Sequence, residues 1–253
     1  MDAPSAIGAS IAPQRCNAVL RYNHHITPTV ITFDAGQTLV ELDLDFLVTR
    51  LAERDSVTSL EALSAAIPAA WAEHDALIAA GEGHPWRGFM TALLVRAGVA
   101  DVDPLVAWLW QEQPRVNLWR KPIAGMVDLA RELVAQGARI AVLSNSEGRL
   151  AELLTDVGIA DAFEVIVDSG RLGFHKPDRR IFTHTLAALG LPEAVPVHIG
   201  DSWAADVVGA LDAGWHAMWY GRQVHAVDDP RVAVARDPHE ARAELVRLGV
   251  IAR

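Results

Sequence analysis

The sequence predicts an α/β protein, in which a doubly wound parallel sheet carries an inserted all-helical subdomain. Short apolar runs bounded by Gly, Asp, Asn or Ser recur along the chain, as in parallel strands that are covered on both faces. From residue 124 onward these runs alternate with helical patterns. Residues 42–113 contain helical patterns and no convincing strand, although a parallel crossover needs only about a dozen residues.

Five apolar runs are predicted to form the strands of the sheet. They are residues 29–34, 139–144, 163–168, 196–201 and 216–220. Several of these runs end in Asp or Ser. Because ligands bind beyond the carboxyl ends of the strands in open α/β sheets, these polar residues are the first candidates for a functional site.

The predicted helices lie between the strands and end at glycines. Residues 124–136 space their apolar side chains as in a helix, and Gly137 follows as a stop signal. Further helices are predicted at four places: from Ser146 to about Gly158, from Pro177 to Gly190, over 204–213 and over 238–249.

The chain is divided into four segments by these patterns. The α/β core is assigned to residues 29–41 and 120–253, and the helical insertion to residues 42–119. Residues 1–28 contain prolines and no clear period, so we expect a flexible or loosely docked N-terminal arm there.

Composition excludes several classes of function. The 253 residues carry a net charge of −10, which gives no electrostatic footprint for binding DNA or RNA. The single cysteine, Cys16, excludes an intramolecular disulfide framework and a cysteine-based zinc cluster. No apolar run approaches the roughly 18 residues of a membrane span, and the N-terminus is a poor signal peptide. We expect a cytoplasmic monomer or homodimer that acts on small molecules.

The carboxyl edge of the predicted sheet gathers acidic groups and one lysine. Asp34, Asp201 and Asp206 would repel one another without a cation, and oxygen ligands favour Mg²⁺. Lys176 and the Ser144 hydroxyl offer positive charge and a donor to an anionic group beside the metal. This mixture suits phosphoryl transfer, in which Asp34 can attack phosphorus and form an aspartyl phosphate.

Lysine is rare in this chain, which makes Lys176 conspicuous. Of the 22 basic residues only Lys121 and Lys176 are lysines, so the compact ammonium of Lys176 suits a crowded site of carboxylate and phosphate. Lys121 is predicted to be a solvated charge beside the insertion.

Four motifs occur in order along the chain: Asp34-x-x-x-Thr38, Ser144-Asn145, Lys176-Pro177 and Gly200-Asp201-x-x-x-x-Asp206. Each is common by chance, but together, each near a strand end, they resemble the motifs of the haloacid dehalogenase superfamily. The resemblance covers about residues 29–222. It implies a Rossmann-like hydrolase core, and the helical insertion resembles the helical cap of that superfamily.

The resemblance implies a role for each matching residue at a magnesium site. Asp34 would be the nucleophile and a metal ligand, together with the backbone carbonyl of Gly36. Asp201 would bind Mg²⁺ directly, and Asp206 would support the metal shell or Lys176.

The resemblance also implies a phosphate-binding group. Ser144 and Lys176 would bind the transferring group, with Lys176 also shielding the nucleophile. Asn145 would form hydrogen bonds near the phosphate, and Thr38 would order the adjoining turn. In the cap, Trp86 and Arg87 are our candidates for lining the substrate cleft.

One departure from the family pattern concerns the general acid. Phosphatases of this superfamily usually carry a second Asp two residues after the nucleophile, where this chain has Gly36, followed by Gln37 where glycine is usual. The leaving group can be one that needs no proton, such as an acyl phosphate or a halide. Alternatively, another residue substitutes, with candidates at Glu41, His175 and His84, or the protein is a weak or inactive relative.

The sequence therefore predicts a Mg²⁺-dependent hydrolase of a small phosphorylated substrate. The first alternative is a 2-haloacid dehalogenase that uses Asp34 as nucleophile without a metal. That branch typically lacks the metal-binding acid of the fourth motif, whereas Asp201 and Asp206 are both present here, which favours the phosphatase. The second alternative is a catalytically weak member that acts as a binding protein.

Overall fold

The computed structural model describes residues 29–80, 85–221 and 224–252. Its strands are β1 (Val30–Phe33), β2 (Val40–Leu42), β3 (Trp119–Pro122), β4 (Arg139–Ser144), β5 (Val165–Asp168), β6 (Val197–Gly200), β7 (His216–Tyr220) and β8 (Val232–Ala235). Its α-helices are α1 (Leu44–Ala52), α2 (Leu60–Ala80), α3 (Trp86–Arg96), α4 (Val102–Glu112), α5 (Ala124–Ala135), α6 (Leu150–Asp156), α7 (Arg179–Ala188), α8 (Gly209–Asp212) and α9 (Pro238–Arg247).

The main sheet is entirely parallel and has the strand order β5-β4-β1-β6-β7-β8. The order reverses at β1, which pairs with β4 on one side and with β6 on the other. Such a reversal is where open α/β sheets bind ligands. The predicted doubly wound sheet is confirmed, with β8 as a sixth strand that the sequence analysis did not identify.

Helices cover both faces of this sheet. On one face, apolar residues of α5, α6 and α9, such as Met126, Leu154 and Leu245, pack against the strands. On the other face, α7 and α8 contribute residues such as Phe182 and Ala210. Both faces are therefore removed from water, which explains why the strands are mostly apolar and do not alternate between apolar and polar residues.

The insertion after β2 is a bundle of four helices, α1 to α4, with an apolar core of its own that includes Leu47, Leu63 and Leu93. Trp86 belongs to this core: it is 6% exposed, and its ring centroid lies 5.2 Å from that of Trp110. The expectation that Trp86 lines an open cleft is therefore wrong, because this large apolar ring is buried with its neighbours.

The insertion leaves and rejoins the core through a small antiparallel sheet of β2 and β3. Glu41 on β2 and Lys121 on β3 form an ion pair of 3.0 Å, in which the Lys121 side chain stays 57% exposed. The sequence analysis missed both strands, since three or four residues are too few to give a clear period.

The remaining expectations about chain segments fall partly outside the described residues. The N-terminal arm of residues 1–28 and the candidate acid His84 both lie there. Within the described part of the chain, no helix combines the length and the apolar character that crossing a membrane would require.

Candidate active site

Asp34 follows β1 directly and lies at the reversal of strand order. Its backbone N–H donates to the carbonyl of Ile199 on β6, at 2.8 Å, which fixes the end of β1 against its neighbour. The chain then turns back, since the N–H groups of Leu39 and Val40 both donate to the carbonyl of Ala35. This turn leaves Asp34 at the carboxyl edge of the sheet, buried except for 8% of its surface.

Lys176 is the centre of the site. Its Nζ atom donates to Oδ1 of Asp34 at 2.6 Å, to Oδ1 of Asp206 at 2.6 Å and to the carbonyl of Leu143 at 2.7 Å. An ammonium has three donors, so each has an acceptor. The ammonium lies between two carboxylates, and the Lys176 side chain is only 2% exposed, so it is almost entirely removed from water.

Asn145 holds the backbone of Lys176. Its Nδ2 atom donates to the carbonyl of Lys176 at 3.0 Å, and its Oδ1 atom accepts from the N–H of Lys176 at 2.8 Å. The structure thus places this predicted phosphate ligand on the peptide of the lysine, where it fixes the position from which the lysine side chain starts.

The loop after β4 is fixed by a carboxylate from β5. Asp168 accepts from the N–H groups of Gly148, Leu150 and Gly170 at 2.9–3.1 Å. These bonds pin the loop that begins at Ser144 and Asn145 and hold it beside the loop that leads to Lys176. The sequence analysis placed Asp168 at a strand end but gave it no role.

The hydroxyls of Ser144 and Thr38 have different surroundings: the first lies beside Asp34, and the second is enclosed in the turn after it. Burial raises the pKa of the Asp34 carboxyl, and the Ser144 hydroxyl beside it opposes that shift. Thr38 has no exposed surface, and among the described residues its Oγ1 atom finds no hydrogen-bond partner. Thr38 is thus part of the buried turn after Asp34 and does not reach a surface that a substrate could touch.

Asp206 is brought back to the site by a π-helical turn, Trp203–Val208. Ser202 begins this turn, accepting from the N–H of Ala205 through its hydroxyl at 3.2 Å and donating its own N–H to Oδ2 of Asp206 at 2.8 Å. Gly200 permits the close approach, because a Cβ atom there would lie 2.3 Å from Cγ of Asp206.

Three carboxylates converge at this edge of the sheet. Asp34, Asp201 and Asp206 each offer an oxygen atom, and these atoms all lie within 4.8 Å of one another. Three acidic groups face a single ammonium, so the group carries an excess of negative charge when all three are ionised. The predicted residues Asp34, Ser144, Lys176, Asp201 and Asp206 are thus brought together by the fold.

The crowding of the three acids shifts their pKa values. Burial and the charges of Asp34 and Asp206 raise the pKa of Asp201 well above its usual value. Burial also raises the pKa of Asp34, although Lys176 opposes the shift. For Asp206 burial is outweighed by the charge of Lys176 and by a hydrogen bond from a histidine, so its pKa is lowered. Asp201 therefore gains most from a nearby cation.

The comparisons with known proteins agree with this geometry. A family model of haloacid dehalogenase-like hydrolases matches residues 28–214. The chain belongs to the haloacid dehalogenase-like hydrolase family. The HAD-hydrolase YfnB from Bacillus subtilis, whose structure was solved with bound magnesium, shares the fold with a TM-score of 0.64 at 20% identity, over 86% of this chain and 98% of that one.

Two curated relatives show how far the likeness extends. The haloacid dehalogenase-like hydrolase domain-containing protein 3 of Bos taurus is 32% identical over 136 residues, which are 53% of this chain and 54% of the relative. The phosphoserine phosphatase of Thermus thermophilus is 30% identical over 170 residues, 64% of this chain and 67% of that enzyme. The match to the bovine protein thus spans about half of its length.

His198 is a residue of this hydrolase that the sequence analysis missed. It is fully buried on β6, where its Nε2 atom lies 3.1 Å from Oδ1 of Asp206 and its Nδ1 atom 2.8 Å from the hydroxyl of Thr32. The available signal was a lone histidine inside an otherwise apolar strand, Val197–Gly200.

The two described candidates for the missing acid, Glu41 and His175, do not take its place beside Asp34. Glu41 is paired with Lys121 on the small antiparallel sheet, and His175 is exposed. Within the described residues neither forms a hydrogen bond or an ion pair with Asp34, which instead contacts Lys176 and Ser144.

Proposed function

We propose that this chain is a Mg²⁺-dependent phosphatase that acts on a small phosphorylated molecule. The observation that carries the proposal is the convergence of Asp34, Asp201 and Asp206 at one edge of the sheet, where the buried ammonium of Lys176 pairs with Asp34 and Asp206. Anionic phosphate binds to such an acidic edge only where positive charge is added. The likeness to a phosphoserine phosphatase supports the same class of reaction.

The spacing of the carboxylates fits a magnesium ion. Ligand atoms around octahedral Mg²⁺ are about 3 to 4 Å apart, which the 4.8 Å spread of the three acids can accommodate. The oxygens of Asp206 already accept bonds from Lys176, His198 and Ser202, so we assign Asp206 to holding Lys176. Asp34, Asp201 and the carbonyl of Gly36 would then hold the ion. When bound, it would neutralise charge on the phosphoryl oxygens.

Asp34 is the proposed nucleophile. A carboxylate oxygen of Asp34 forms a bond to phosphorus while the bond from phosphorus to the leaving-group oxygen breaks, and the electron pair departs with that oxygen. Water then attacks the aspartyl phosphate, releases inorganic phosphate and restores the carboxylate. Lys176 and Ser144, both beside Asp34, stabilise the negative charge of the transferring group.

The leaving group receives no proton from the position where family phosphatases carry their second acid. Gly36 has no side chain, so the proposed substrates are those whose leaving group departs as a stable anion, such as an acyl phosphate. This preference would distinguish the chain from phosphatases that hydrolyse alkyl phosphates.

The test is a screen of phosphorylated metabolites, including acyl phosphates, with and without Mg²⁺. We expect phosphate release by the wild type that requires Mg²⁺ and is lost in Asp34→Asn. Robust release by Asp34→Asn would contradict the proposal.

The wild type and Asp34→Asn are also tested as a 2-haloacid dehalogenase and as a binding protein. Both alternatives remain open because position 36 is glycine. Halide release from 2-haloacids that is insensitive to EDTA would instead establish the dehalogenase. Binding of phosphorylated ligands without any turnover would establish a binding protein.

A further inference from the structure

His198 is fully buried on β6, where it contacts Asp206. We propose that His198 is the positioning residue of this site: it fixes the carboxylate of Asp206, which in turn holds the ammonium of Lys176 against Asp34. His198 touches neither the substrate nor the reacting atoms in this proposal. It acts only through Asp206.

The neighbours of the ring determine where its proton lies. A carboxylate accepts hydrogen bonds, so Nε2 must carry the hydrogen that it shares with Oδ1 of Asp206. The hydroxyl of Thr32 then donates to Nδ1 at 2.8 Å. Burial lowers the pKa of His198, which agrees with a neutral ring. Both nitrogens are thus satisfied by one tautomer, and the ring cannot turn over without losing both bonds.

The bonds of the ring continue to the nucleophile. They run from Thr32 through His198, Asp206 and Lys176 to Asp34, with distances of 2.8, 3.1, 2.6 and 2.6 Å. This path starts on β1, crosses to β6 and returns to the residue after β1. Because Thr32 and His198 are paired in register, the sheet itself sets the position of the ring.

Without His198 the carboxylate of Asp206 has less to restrain it. The same oxygen, Oδ1, accepts from both His198 and Lys176, so its place is set by two donors. If the ring donor is lost, Lys176 alone holds Oδ1 while the N–H of Ser202 still holds Oδ2, so the carboxylate can pivot about Oδ2 and let the ammonium shift relative to Asp34. A displacement of about 1 Å at a reacting group can cost about 100-fold in rate.

The alternative is that His198 merely fills the core. Its ring also packs edge-on against Phe182, with centroids 5.8 Å apart and an interplanar angle of 88°. The two roles are separated by matched variants. His198→Leu removes both hydrogen bonds, His198→Gln keeps an N–H donor on a flexible side chain, and Phe182→Leu disturbs the packing without removing a hydrogen bond of the path.

The first readout does not depend on activity and uses the fact that the chain has only two lysines. Protein labelled with ¹⁵N-lysine gives at most two ammonium signals, with exposed Lys121 as the reference. We expect the Lys176 signal to shift or broaden in His198→Leu, to return toward its original position in His198→Gln and to persist in Phe182→Leu. An unchanged Lys176 signal in folded His198→Leu would overturn the proposal.

The second readout rests on the proposed phosphatase function. We expect kcat of His198→Leu to fall about 10- to 100-fold while KM changes less than about threefold, with partial recovery in His198→Gln. Phe182→Leu is expected to lower Tm but to keep kcat. Equal losses of kcat in Phe182→Leu and His198→Leu would show a structural role only. If the wild type has no phosphatase activity, the proposed function fails while the lysine signals still decide the role of His198.

A milder variant covers the case in which His198→Leu does not fold. Thr32→Val is close in shape and removes only the hydroxyl that donates to Nδ1. We expect it to fold, to shift the Lys176 signal in the same direction and to lower kcat about two- to tenfold, which is less than the loss expected for His198→Leu. A Lys176 signal and a kcat identical to those of the wild type would overturn the proposal.

Discussion

The Nζ atom of Lys176 lies 2.6 Å from Oδ1 of Asp34, although 142 residues separate the two in the chain. Their side chains are 2% and 11% exposed, and the same ammonium is equally close to Asp206. An ion pair of this kind is costly to break, because removing one partner leaves a buried charge without compensation. The same ion pair therefore contributes to the stability of the fold and positions the proposed nucleophile, Asp34.

Replacing Lys176 by methionine is expected to abolish activity and to destabilise the protein by about 3–5 kcal/mol, because Asp34 and Asp206 lose their shared cation. The free energy of unfolding in urea measures the second effect. Lys121→Met is the matched control: its ion pair with Glu41 is exposed, so we expect a change within about 0.5 kcal/mol. Similar losses in both variants would refute this view of Lys176.

The Asp201→Asn variant removes one charge from the crowded acids at nearly constant shape. Since burial and the charges of Asp34 and Asp206 raise the pKa of Asp201, its ionised form is disfavoured in the fold. We expect Asp201→Asn to raise Tm in EDTA and to abolish the further rise in Tm that Mg²⁺ gives the wild type. Differential scanning calorimetry with and without Mg²⁺ measures both effects, and an undiminished response to Mg²⁺ would exclude Asp201 as a ligand.

The stabilisation by Mg²⁺ should grow as pH rises. A carboxyl whose pKa is raised in the fold binds protons more strongly in the native state than in the unfolded state, so its contribution to stability is lost as pH increases. Magnesium needs the ionised carboxylates and replaces the lost protons. We expect the difference in Tm with and without Mg²⁺ to be larger at about pH 8 than at about pH 5.5. An equal or larger difference at the lower pH would contradict the assignment.

Restoring an acid at position 36 tests the reason for the proposed substrate preference. A Cβ atom there meets only Oδ2 of Asp34, at 4.0 Å, and the φ angle of Gly36 is not in the left-handed region, so a side chain fits. We expect Gly36→Asp to raise the rate with alkyl phosphates at least tenfold, toward the factor of about 10²–10⁴ that general acid catalysis contributes, and to change the rate with acyl phosphates little. Gly36→Asn is the control that fits equally but provides no proton, and an equal gain in that variant would disprove the explanation.

Unlike Gly36, Gly200 has no room for a side chain. A Cβ atom there would lie 2.3 Å from Cγ of Asp206, a contact that forces the carboxylate away from Lys176. We expect Gly200→Ala to lose about 100-fold or more in kcat, whereas Gly36→Ala keeps kcat within about threefold. Steady-state kinetics of the two alanine variants measure the contrast, and a fully active Gly200→Ala would show that the position of Asp206 matters little.

Most of the fold follows from local patterns in the sequence. The apolar runs that became β1, β4, β5, β6 and β7 are continuous because both faces of the sheet are covered, and glycines mark where several helices stop. Short or edge elements were missed, namely β2, β3 and β8, because each has only three or four residues, too few to establish a period.

The sequence by itself determined the sheet, the helical insertion and the group of residues that carries the candidate chemistry, because each depends on the residue type and spacing at the end of a strand. Only the tertiary structure decided how these residues are used. It placed Asn145 on the peptide of Lys176, enclosed Thr38 in a turn and put His198 behind Asp206. These contacts form only when the loops fold back against the sheet, even where the partners are close in the chain, as His198 and Asp206 are, so no pattern of apolar and polar residues predicts them.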